Sequence, residues 1–455
     1  MSRPTLLYYS EDAGDVYGFW QWVDGRRSEP RAFRVDRAAL DHVLTELRAA
    51  LPTELPGESV ADGIERMRTG AFSSPAKERA LSSRLSDLLM PPDLVRELLA
   101  EATATGSPVL VRMLPAPSHA HVPWELLLLR ADGPDGATGT AARRLAEVAD
   151  VVADPPAGVH AGRARLPEPW SDQVAARPSI HVLDPAPARR RLGLVLSPAQ
   201  RDAFAARHPD ARAVTARTVT RADLSAHLRD DPSPSRLFYV GHVVGLPSHP
   251  GTTSLLLSDD DRAYGVLPAV GGNRLFSALD ALEGTLFAAQ RVTDEDGVVW
   301  PTGRREVLGG AQIWPMPPRV ALIACASGGD LGHLEPFGLA IAFINAGAEI
   351  VTASRWALPT DRAFREKDSF RPDIDPQPLF DMAVAVDDAH ATADPVATLA
   401  AWQRARIAAW DADDDAPIAL SPVTWGALTT FAAPARTTLP LTADETEQLA
   451  GIPAA

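Results

Sequence analysis

Two short apolar runs that end in the same kind of text constrain this chain more than any other feature. Leu237, Phe238, Tyr239 and Val240 run into Gly241 and His242, while Val320, Ala321, Leu322, Ile323 and Ala324 run into Cys325, Ala326, Ser327, Gly328 and Gly329. A run that is apolar at every position reads as a strand buried on both faces, the state of a strand inside a helix-covered parallel sheet. The small residues that follow let backbone and ligand approach closely. The carboxyl ends of such strands are where open α/β sheets bind ligands.

The surrounding text supports such a sheet. Leu192 to Leu196, Arg236 to Val240, Val320 to Ala324 and Glu349 to Ser354 read as strands, with helices over Arg221 to Arg229, Phe337 to Asn345 and Ala391 to Trp410. Gly347 stands where a helix C-cap is expected, and Thr424 to Phe431 reads as a closing strand. Upstream, Leu6 to Tyr9 and Tyr17 to Val23 read as strands, and Asp36 to Leu51 as an amphipathic helix with Leu40, Val43, Leu44 and Leu47 on one face. Leu81 to Thr103 reads as helix broken at Pro91 and Pro92, and Val109 to Met113 as strand. The Pro-rich stretches Asp154 to Pro187 and Ser248 to Thr253 read as connectors.

Charge and cysteine usage exclude several function classes. Lys and Arg number 44 against 59 Asp and Glu, a net charge of −15, which repels phosphate backbones, so no direct nucleic-acid partner is expected. Cys325 is the single cysteine, which rules out an intramolecular disulfide framework and a Cys-rich zinc site. No apolar run approaches the roughly 20 residues of a membrane span, and the first residues lack a signal-peptide pattern. A soluble protein of a reducing, cytoplasmic compartment is expected, and the Ala, Arg, Pro and Asp usage suggests a bacterial source. No glycine-rich phosphate loop follows an early strand.

A lone cysteine is most often a small core residue. At a strand's carboxyl end it is also a candidate nucleophile, and then it needs a base. Of the 11 histidines, His242 alone follows a predicted core strand and is flanked by glycines, Gly241 and Gly245. A free thiol is only a few per cent ionised at neutral pH, and an imidazole within reach supplies the activation.

Several short motifs follow one another in order: Pro123, Trp124, Glu125 and Leu126; the strand Leu237 to His242; Leu255 to Ser258; Leu322 to Cys325; the helix, turn and strand Gly338 to Trp356; and Pro422 to Gly426. Together they resemble the CHAT family of caspase-like cysteine peptidases, over roughly Ser82 to Ala433. The resemblance implies a caspase-like, mostly parallel sheet flanked by helices. It implies a small α+β region over 1–80, a non-catalytic pseudo-caspase-like half over 81–190, a catalytic half over 191–435 and a tail over 436–455. It further implies cleavage of a protein substrate by the His242 and Cys325 pair, with backbone amides of Cys325 and Val243 holding the oxyanion and no metal or cofactor. Val243 departs from the family, which often has glycine there. A regulated bacterial stress or antiviral-defence protease, with a partner or sensor that activates it, is the implied role; a caspase-like interaction module is the alternative.

For substrate selection, the resemblance makes Arg355 to Asp361 the edge along which an extended peptide binds. Trp356 is then expected to line the groove, Asp330 and Asp361 to form an acidic pocket, or Arg355 to select an acidic residue; solvated loop charges are the plain reading of each. Trp124 and Glu125 read as a structural pair. The insert Gly271 to Ile313 is long enough for a helix, Phe276 to Gln290, and a hairpin, and Gly271, Gly272, Gly309 and Gly310 are candidate hinges for a lid.

Overall fold

The structure is a computed structural model, and it describes residues 3–23, 29–130, 142–156, 158–159, 162–187, 193–245, 251–284, 291–293, 299–301, 308–328, 338–365 and 376–433. Ten strands form one large sheet. They are β1 (Thr5–Ala13), β2 (Asp15–Trp22), β3 (Arg31–Val35), β4 (Val109–Leu114), β5 (Ala149–Ala153), β6 (Ile180–Leu183), β7 (Arg236–Val240), β8 (Arg319–Ile323), β9 (Ile350–Ser354) and β10 (Leu428–Ala432). Their spatial order is β3-β2-β1-β4-β5-β10-β9-β8-β7-β6. The chain thus lays down one half, β1 to β5, and then a second, β6 to β10. The halves meet where β10 runs parallel to β5.

In the second half β6, β7, β8 and β9 are parallel neighbours, and β10 closes antiparallel on β9. All residues of β6, β8, β9 and β10 are buried. Burial on both faces is what the unbroken apolar runs require, and each fully buried aliphatic side chain contributes about 1.5–3 kcal/mol. In the first half β1 and β2 form an antiparallel hairpin whose burial alternates, with Leu6, Tyr8, Val16, Trp20 and Trp22 inward and Leu7, Tyr9, Tyr17 and Phe19 facing out.

The expected helices form with local reasons. Asp36 caps Arg37–Ala50 by accepting the Ala39 N–H, and the helix buries Leu40, Val43, Leu44 and Leu47. The Pro91–Pro92 break separates Pro75–Leu89 from Pro92–Thr105, with proline in the first turn of the second helix. Leu339–Asn345 ends ahead of Gly347, whose φ of 116° suits glycine. The long carboxy-terminal helix is Pro395–Asp411, preceded by Pro378–His390.

Three readings are corrected. Residues 193–196 form no strand; the strand that pairs with β7 is Ile180–Leu183, inside the stretch read as a connector. The helix of the insert is shorter than expected, Ala278–Glu283, while the expected hairpin forms, Arg291–Thr293 with Val299–Pro301. Residues 285–290, 294–298 and 302–307 of the expected lid lie outside the described residues. Gly310 is no free hinge, because a Cβ there would lie 1.7 Å from the Ala281 carbonyl oxygen, so it serves close packing.

Buried charges clamp the seam between the halves. Glu125 of the first half receives both guanidinium nitrogens of Arg355 at 3.0 and 2.8 Å. Arg144 reaches Glu78 at 2.7 Å and Asp411 at 2.8 Å, and Arg404 reaches Asp150 at 2.7 Å. Glu125 is therefore structural, as expected, and its partner is Arg355. No described helix is long and apolar enough to cross a membrane.

Candidate functional site

The register of two neighbouring strands sets the site. β7 and β8 run parallel with Val240 opposite Ile323, and the Gly241 N–H donates to the Ile323 carbonyl at 3.3 Å. His242 and Cys325 each follow by two residues, so they emerge at matched positions from strands about 4.8 Å apart. Both are half-buried, at the carboxyl edge.

His242 is held from two sides. Its Nε2 lies 2.8 Å from the Gly193 carbonyl oxygen. A carbonyl only accepts, so Nε2 carries the proton and Nδ1 keeps the lone pair of a base. Behind the ring, the Tyr239 hydroxyl is shared between the carbonyls of His242 at 2.8 Å and Leu256 at 3.0 Å, and the Leu256 N–H donates to the His242 carbonyl at 3.0 Å. Gly241 makes this possible: a Cβ there would sit 2.6 Å from the Tyr239 oxygen. Val243 opens a short ribbon, paired with Leu255.

Cys325 sits in a tightly tied turn. The Ala326 N–H donates to the Trp356 carbonyl at 3.0 Å and the Gly328 N–H to the Ser354 carbonyl at 2.8 Å, while Ser327 Oγ reaches the Leu322 carbonyl at 2.9 Å. Ala326 has a φ of 50°, left-handed backbone that a side chain disfavours and that these bonds hold in place. The sulfur accepts the Leu358 N–H at 3.4 Å. Burial pushes the Cys325 thiol pKa up, and the Leu358 contact pulls it back in part. The resting thiol is therefore protonated and needs a base to react.

The segment after β9 departs from its expected roles. Arg355 is buried against Glu125 and selects nothing outside the protein. Trp356 is also buried and donates its indole N–H to the Val423 carbonyl at 2.8 Å, with Phe72 packed beside it, so it is core rather than groove lining. Asp361 accepts the Leu379 N–H at 2.8 Å and the Gln200 amide at 2.7 Å, which makes it a buried brace and no open acidic pocket. Burial raises its pKa. Asp330 lies outside the described residues. On the edge expected to bind peptide, the Ala357 N–H donates to Thr53 Oγ1 at 3.2 Å.

Residues that the sequence reading missed complete the surroundings: Asp184, Gly193 and Tyr239. Asp184 ends the run Ile180, His181, Val182 and Leu183, as His242 and Cys325 end theirs, but Pro178, Pro185 and Pro187 made the run read as a connector.

A second cluster lies apart, where His181, His208 and Asp387 bring three donor atoms within 4.8 Å. The two imidazoles stack with centroids 4.4 Å apart at 19°, which sends their lone pairs along near-parallel lines. Arg236 lies 3.3 Å from the same carboxylate. Both features oppose a cation, and the cluster reads as a closed hydrogen-bond network joining β6 to helix Pro378–His390.

No curated protein matches this chain. Two solved structures of the Saccharomyces cerevisiae separase–securin complex are similar to it, at TM-scores of 0.46 and 0.47 and identities of 10% and 8%. Each similarity covers 94% of this chain and 30% of the separase-complex chain. The CHAT domain pattern matches residues 79–365, from within helix Pro75–Leu89, through the histidine and cysteine strands, to just past Asp361. That is well over half of the sequence, and this chain belongs to the CHAT domain family.

Proposed function

We propose that the protein is a caspase-like cysteine endopeptidase in which Cys325 is the nucleophile and His242 the base. The observation that carries this reading is the register match of the two residues at one parallel sheet edge, with the His242 tautomer fixed by the Gly193 carbonyl. His242 Nδ1 takes the thiol proton, and the thiolate adds to the scissile carbonyl carbon. The negative charge that gathers on the carbonyl oxygen is met by the backbone amides of Cys325 and Val243. The imidazolium then protonates the leaving amine, and water hydrolyses the thioester. This chemistry uses no metal or organic cofactor.

Substrate entry on this reading displaces Thr53 from the Ala357 amide, so the resting chain is gated, and an activating protein partner fits that state. A bacterial cytoplasmic stress or antiviral-defence role rests on the family resemblance alone. The competing reading is an interaction module without turnover, favoured by the raised thiol pKa and by Val243. A thiol-reactive peptide probe tests the choice: covalent labelling at Cys325 that is lost in His242→Ala supports the peptidase, and labelling equal in both proteins overturns it.

A further inference from the structure

The residue after β6 belongs with the pair at the sheet edge. β6, β7 and β8 are consecutive neighbours, and Leu183 stands opposite Val240 as Val240 stands opposite Ile323. The carboxyl edge therefore presents Asp184, then His242, then Cys325 in lateral order. Asp184 is 7% exposed and adopts a φ of 50°. A non-glycine residue in left-handed backbone is strained, and such strain collects at working sites. The surroundings hold it there, because the Asp184 N–H donates to the Val240 carbonyl at 2.6 Å.

The Asp184 carboxylate faces the turn that grips His242. One of its oxygens accepts the N–H groups of Val195 at 3.0 Å and Leu196 at 3.4 Å, and Gly193, two residues before Val195, presents the carbonyl that takes the His242 proton. The charged groups facing the carboxylate are few. Burial raises its pKa on balance, and the Val195 N–H, His242 and Arg201 offset that rise in part. Arg201 binds the carbonyls of Leu183, Asp184 at 3.2 Å and Ala216 at 3.1 Å. On β7, Tyr239 feels the carboxylate charge: burial raises the Tyr239 pKa and Asp184 adds to the rise.

We infer that Asp184 is a positioning residue for the His242 and Cys325 pair: its carboxylate anchors the Gly193–Leu196 turn against the imidazole and sets a negative charge beside the imidazolium that forms when the thiol gives up its proton. The inference rests on the peptidase reading. An amide at the same place keeps the acceptor oxygen but loses the charge, so Asp184→Asn separates the two parts of the role, and Asp184→Ala removes both.

The test is the rate of Cys325 alkylation by iodoacetamide at pH 7 in the full chain, with hydrogen exchange at the Val195 and Leu196 amides. Wild-type rate is compared with His242→Ala, Asp184→Asn and Asp184→Ala. Expected is a loss of about tenfold in Asp184→Asn with both amides still protected, the size that one unit of thiolate population gives. A larger loss with unprotected amides is expected in Asp184→Ala. Wild-type alkylation in Asp184→Asn, or slow alkylation there with lost amide protection, overturns the inference. Wild-type alkylation in His242→Ala overturns the peptidase reading and the inference together, whereas a slow His242→Ala beside a fast Asp184→Asn sinks only the role of Asp184.

Discussion

Two histidines, His119 of the first half and His242 of the second, are treated in opposite ways. In the first half His119 is buried, with Nε2 on Ser10 Oγ at 2.9 Å and Nδ1 on Ser118 Oγ at 3.0 Å, and burial pushes its pKa down to about 4. In the second half His242 is half-buried, with Nε2 fixed by the Gly193 carbonyl and Nδ1 left with its lone pair. The backbones differ in the same sense. β1 and β2 alternate between core and solvent, whereas β8 and β9 are covered on both faces and reach the surface only at their ends. A strand wet on one face spreads its polar groups along its length; a strand covered on both confines them to its tip. The candidate site accordingly lies at the tips of β6, β7 and β8.

The strongest way to break this contrast is kinetic. Cys325→Ala and His242→Ala should each reduce peptide cleavage by on the order of a thousandfold or more, with the double variant little worse than either, because nucleophile and base act as a unit. His119→Ala, in the other half, should leave kcat/KM of the folded protein near wild type. Additive losses at Cys325 and His242, or a catalytic effect at His119 of similar size, would erase the distinction.

The seam is tested next. Glu125→Ala leaves the Arg355 guanidinium buried without its anion, which should cost about 3–5 kcal/mol of stability by denaturant unfolding. A wild-type midpoint with a changed KM would return Arg355 to the substrate groove. A third effect is acid-linked, and it concerns both halves, since burial also pushes His390 down to about 3. The unfolded chain takes up each proton near pH 6.5, while the folded chain resists until about 4 at His119 and about 3 at His390. Stability is thus fully present above pH 6.5 and falls as pH drops through that value, by about 2 kcal/mol per histidine down to pH 5. Urea midpoints at pH 7 and pH 5 measure the slope, and His119→Gln should remove close to half of the part due to this pair; an unchanged slope would show that His119 is protonated in the folded chain. The smallest effect belongs to Trp356→Phe, which loses the hydrogen bond to Val423 and should cost about 1 kcal/mol with KM unchanged. A raised KM would make Trp356 a groove residue after all.

The residues of the two central strands determined a good deal by themselves. Unbroken apolar runs with glycine and a reactive side chain at the end have few alternatives to a covered parallel strand, so β7, β8, β9 and the positions of His242 and Cys325 were readable from spacing and polarity. So were the capped helix after Asp36 and the break at Pro91–Pro92, which depend on neighbours in sequence. Tertiary structure alone decided the rest. β6 hid among prolines because burial between β7 and the covering helices, rather than local propensity, makes it a strand, and Asp184 was hidden with it. Arg355, Trp356 and Asp361 carry the residue types of a substrate groove, yet their partners Glu125, Val423 and Gln200 lie 230, 67 and 161 positions away. A charged or aromatic side chain reads the same in sequence whether it meets a substrate or a buried partner, and only the fold says which groups stand within hydrogen-bond reach.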